Sequence, residues 1–171
     1  MAKGANAMRQ TVVALVFTAL SSVANSQQLT DVPDISAMPL KERLVYLQKV
    51  RAMTQTDWDR VGTQVRCGHM KNTSSIVNDL RVTAAQRYLE AGMAVRSHPD
   101  LSDPERQRAM SALSSMKESR PELLREALSS LETYPAGARE SLAAAFRARD
   151  TSIAMGEVAA STTQSYAKHC Q

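Results

Sequence analysis

The sequence predicts an all-α fold, an up-and-down bundle of about five helices closed by one disulfide. Three observations carry this. Apolar residues recur at spacings of three and four along most of the chain, which is the period of an amphipathic helix. Two serine starts, Ser102 and Ser119, each have a glutamate three residues later and precede such runs. The β-branched residues are scattered and no Asn-Gly or Asp-Gly dipeptide occurs, so hairpin signals are absent.

The first 26 residues stand apart from this pattern. Lys3 and Arg9 precede any acid, the run TVVALVFTAL (11–20) is apolar and uncharged, and Ala24 and Ser26 are small residues placed for a cut after Ser26. Basic start, short apolar centre and small-x-small ending are the parts of a cleavable signal peptide. The apolar run is well short of the roughly 20 residues that span a bilayer, so no permanent membrane anchor is expected. Cleavage leaves 145 residues, one domain's worth. Removing Lys3 and Arg9 leaves 19 basic residues against 17 acidic, and the net charge falls from +4 to +2. With no block of Lys and Arg and few aromatic residues, nucleic-acid binding has no support.

Residues 27–38 read as a flexible arm and 39–171 as a single helical-bundle domain. The first helix is expected over 39–66, with Ser36 or Pro39 at its start and Leu40, Leu44, Leu47, Trp58, Val61 and Val65 facing inward. An interruption is expected near Thr54–Thr56, with Thr56 as the candidate cap, and Gly68 supplies the stop. The second opens at Asn72 and places Val77, Leu80, Ala84, Tyr88, Ala91 and Val95 on one face, ending before Pro99. Ser102-Asp-Pro-Glu105 and Ser119-Arg-Pro-Glu122 have the capping-box form and open helices over 103–117 and 120–133. A long last helix over 138–168 carries small residues, Gly156 among them, suited to a close crossing.

The two cysteines, Cys67 and Cys170, read first as a disulfide in an exported chain; a bridge between chains or two free thiols are the alternatives. If five helices alternate in direction, the first and the fifth end at the same pole, which brings Cys67 and Cys170 together. The bridge and the layout support each other.

Chemistry-bearing patterns are sparse. Cys67-Gly-His69-Met70 with His169-Cys170 would form a soft copper or zinc site if the thiols were reduced. An oxidised pair supplies no thiolates, so His69, Met70 and His169 are held only as secondary metal candidates, and no cofactor is expected. His98-Pro99-Asp100 coincides with the tripeptide between two helices of J-domain co-chaperones, but three residues without a basic upstream helix carry no assignment. Ser114-Ser-Met-Lys117 has the S-x-x-K spacing of penicillin-recognising enzymes without their other motifs. The nucleophile-elbow, metalloprotease and phosphate-loop patterns do not occur. The expectation is a non-enzymatic periplasmic or secreted protein that binds another exported protein, in an accessory, chaperone-like or immunity-type role. A periplasmic metal-binding protein is the alternative.

Overall fold

The computed structural model describes residues 29–170; residues 1–26, where a signal peptide is expected, and residues 27 and 28 of the expected arm lie outside them. Among the described residues there are helices and no strand. The elements are α1 (Leu40–Ala52), α2 (Gln55–Arg60), α3 (Thr63–Arg96), α4 (Asp103–Ser115), α5 (Pro121–Ser129), 3-10 turns at Ser130–Thr133 and Ala136–Ala138, and α6 (Arg139–Cys170). Cys67 and Cys170 are disulfide-bonded. The chain divides into two compact units between His69 and Met70, inside α3.

In the first unit specific hydrogen bonds link the described residues of the arm to one another and to α1. Asp34 Oδ1 accepts from the Ser36 N–H at 2.9 Å, forming a local turn. Arg43, in the first turn of α1, reaches back: its Nε donates to the Met38 carbonyl at 2.8 Å and a terminal nitrogen to the Ser36 carbonyl at 3.1 Å. Arg139 does the same at the start of α6, gripping the carbonyls of Tyr134 and Glu132, five and seven residues back. These guanidinium groups hold loops rather than presenting a basic surface.

The buried face of α1 is Tyr46, Leu47 and Val50, rotated from the expected one. Leu40 is 53% exposed, because the helix turns toward the His69 side chain described below. The interruption falls where α1 meets Met53, in extended conformation. The cap of α2 is Thr54, not Thr56: its hydroxyl accepts from the Asp57 N–H while Asp57 accepts from the Thr54 N–H at 2.8 Å.

The stop expected at Gly68 is absent, and α3 runs unbroken through 67–72; six α-helices lie among the described residues where about five were expected. A glycine ends a helix by taking positive φ, and no described glycine does so. Gly68 is required for another reason. A Cβ there would meet Val32 Cγ2 at 2.5 Å, so the arm can cross the helix only because the side chain is missing. Cys67 consequently lies in the first turns of α3 instead of ending the first helix.

The second unit is built around Val95, Leu101, Leu113, Leu131, Leu142 and Phe146, each almost fully buried. Burial of each such side chain contributes roughly 1.5–3 kcal/mol. The capping box at α4 forms as expected, Glu105 Oε2 accepting from the Ser102 N–H at 2.8 Å. The matching box at α5 does not. Its N-cap is Arg120, with no side-chain cap, because the Ser119 hydroxyl donates instead to Asp150 Oδ1 of α6 at 2.8 Å. Next to it Arg149 donates to the Met116 carbonyl at 2.8 Å and stacks on the Tyr88 ring at 5.0 Å. Together they fasten the α4–α5 linker to α6.

The α3 segment of this unit and α6 are antiparallel. Met70 lies against Cys170, Ser74 against Thr163, and Tyr88 against Arg149. The close crossing expected at Gly156 is not found there, since a Cβ would meet nothing within 4 Å. Asp100 instead packs directly on Gly137, which gives the His98-Pro99-Asp100 loop a structural role.

Candidate functional site

His69 is the one buried polar or charged residue among those described, with no exposed surface. Both ring nitrogens are engaged. Nε2 lies 3.0 Å from the Leu29 carbonyl, and Nδ1 lies 2.7 Å from the Tyr46 hydroxyl. A carbonyl only accepts, so Nε2 carries the hydrogen, and in the neutral tautomer Nδ1 then accepts from the Tyr46 hydroxyl. Trp58 meets the imidazole edge-on, with ring centroids 6.2 Å apart. The ring thus joins the arm, α1 and α3 within the first unit.

The sequence-level metal candidates are therefore in different situations. His69 has no lone pair to offer without breaking its bond from Tyr46. Met70 Sδ lies 3.7 Å from Cys170 Sγ; with that cysteine in a disulfide this is a sulfur–sulfur contact, not a hydrogen bond. His169 is exposed in the last turn of α6. Among the described residues no group of three His, Cys, Asp or Glu side chains is placed to hold a metal ion.

Sequence reasoning missed Tyr46 and the Leu29 carbonyl. The only hint was that Tyr46, Leu47 and Val50 also form an inward helical row. It missed Asp150 as well, a carboxyl that burial pushes above the usual range while the hydrogen bond from Ser119 pulls the other way.

Each unit also has an open groove. In the second, α4, α5 and Phe146 enclose about 520 Å³, with Met116, Leu123 and Ala127 lining it and Lys117, Glu126 and the Glu118–Arg120 ion pair at its edge. The helix behind it is amphipathic: Leu123, Leu124, Ala127 and Leu128 lie to one side, yet none of its residues is buried and Leu123 is 38% exposed. In the first unit the arm and α1 enclose a similar volume of about 520 Å³ over Leu29, Pro33, Met38, Val45 and Tyr46, edged by Lys41, Glu42 and Lys49. A third apolar feature is flat: Val82, Leu89 and Met93 make an exposed stripe along α3, the last two 62% and 59% exposed. The chain matches no family model, and no match emerges from comparison with curated proteins or with solved structures.

Proposed function

We propose that this chain is an exported, non-enzymatic protein that binds another exported protein, in the periplasm or outside the cell, as a disulfide-closed up-and-down helical bundle. The observation that carries the reading is α5, an amphipathic helix whose apolar side is left only half covered by its own unit. Folding ordinarily buries such a side, and one left open beside a groove suits a partner's side chain. The export segment and the disulfide favour an oxidising compartment, and no helix among the described residues is long and apolar enough to cross a membrane.

The alternative of a metal-binding protein gains nothing from His69, which would have to give up its bond from Tyr46 to coordinate. The protein-binding reading is tested by placing a photo-crosslinking residue at Leu123 in the exported chain. One protein should be captured at that position and not from Glu157, an exposed residue of α6. Equal capture at both positions, or none, would count against it.

A further inference from the structure

The groove in the first unit carries two cations for which the described residues supply no ion-pair partner. Lys41 and Lys49 are exposed, and neither forms an ion pair with a described residue. They are eight residues apart on α1, about 12 Å along its axis at 1.5 Å per residue, with Val45 midway on the same helix face. Lys41 is also badly placed for helix stability. It sits in the first turn of α1, where the macrodipole favours anions, as it does the neighbouring Glu42. Between the lysines the floor is apolar. Tyr46 lends it a ring only, because the hydroxyl is committed to His69.

We infer that this groove docks an acidic helical segment of a partner protein, one bearing carboxylates at i and i+8 around an apolar residue at i+4. That row mirrors Lys41, Val45 and Lys49, so a helix laid along α1 meets a cation at each end and an apolar floor between. Glu42, on one edge only, sets which side of the groove the acids take. A membrane surface fits less well, since lipid docking uses a protruding apolar face with many bases, and this groove carries two lysines and a glutamate. This deepens the protein-binding reading and rests on it.

The probe is a labelled synthetic helical peptide with Glu, Leu and Glu at successive fourth positions, titrated onto the mature, oxidised protein at low salt. Binding is read by anisotropy and by the fluorescence of Trp58, the single tryptophan, which lies against His69. Saturable binding is expected, about tenfold weaker in the K41E/K49E double variant and unchanged in K168E. A peptide with Lys, Leu and Lys should bind the double variant in preference to the wild type. Circular dichroism confirms that the double variant is folded. The proposal is overturned if the peptide fails to bind saturably, if it binds both proteins alike, or if the two lysines govern uptake by anionic vesicles instead. If a photo-crosslinking residue at Val45 captures a partner equally from the wild type and from K41E/K49E, the groove is wrong, and capture at Leu123 leaves protein binding standing; no capture at Leu123 in the wild type sinks the wider reading.

Discussion

Ser74 of α3 and Thr163 of α6 share a hydrogen bond, with their oxygens 3.2 Å apart. Seven residues back from Ser74 is Cys67, and seven residues on from Thr163 is Cys170, its disulfide partner. Fourteen residues in the other direction Tyr88 meets Arg149. Within the second unit the α3–α6 pairing thus stands on contacts of its own, from Ser74 to Tyr88, besides the Cys67–Cys170 bond.

Those contacts make the helical pairing of the second unit independent of the disulfide. The bond closes a loop of about 100 residues, which the chain-entropy account values at roughly 4–5 kcal/mol. Cys67→Ser with Cys170→Ser should keep the helical circular dichroism and lose stability of that order in urea. Equal stability of oxidised and reduced protein would contradict this.

Tyr46→Phe removes a hydroxyl and little else, leaving His69 Nδ1 buried without a donor. The expected cost is about 1–3 kcal/mol, read by denaturant titration. His69→Ala adds a cavity and a lost bond to Leu29, and should cost more. A Tyr46→Phe protein as stable as the wild type would show that the pair is not made in solution.

Inside a helix, Gly→Ala normally stabilises by roughly 0.5–1 kcal/mol. Gly68→Ala should do the reverse, because the new methyl group occupies the place of Val32 Cγ2. Adding Val32→Ala should restore the ordinary gain. A double-mutant cycle with no coupling between the two positions would place the arm elsewhere.

Two carboxyls give pH effects of opposite sign. Hydrogen bonds from the Ser102 hydroxyl and backbone hold Glu105 below its usual range, so its contribution is present above the unfolded value and is lost as the pH falls through the lowered one. Burial raises Asp150 despite the bond from Ser119, so its contribution is present below the unfolded value and is lost as the pH rises through the raised one. Unfolding curves from pH 3 to 7 should show Glu105→Gln losing stability toward the neutral end, where Asp150→Asn gains. The same sign for both variants would refute the assignment.

Much of the second unit was legible because its signals are local. Ala109, Leu113 and Met116 keep helical spacing, and the Ser102–Glu105 box lies within four residues. What failed depended on partners distant in sequence. Ser119 has the same local motif as Ser102, but Asp150, 31 residues away, takes its hydroxyl. Gly68 looks like a helix end until Val32 is placed across it. His69 looked like a ligand because nothing in Cys67-Gly-His69-Met70 announces Tyr46, 23 residues back, or a carbonyl 40 residues back. The carbonyl of Leu29 has no side-chain signature at all. The lysines of α1 that pair with no described acid were invisible for the converse reason: only a structure shows which charges lie beside which.

The most direct test of the account is native mass spectrometry of the protein purified from its own compartment. It predicts a chain beginning at Gln27, lighter by the two hydrogens of a Cys67–Cys170 bond, in complex with one other protein and with no stoichiometric metal. A chain retaining residues 1–26 with both thiols reduced, or one carrying copper or zinc that is lost on His69→Ala, would contradict it.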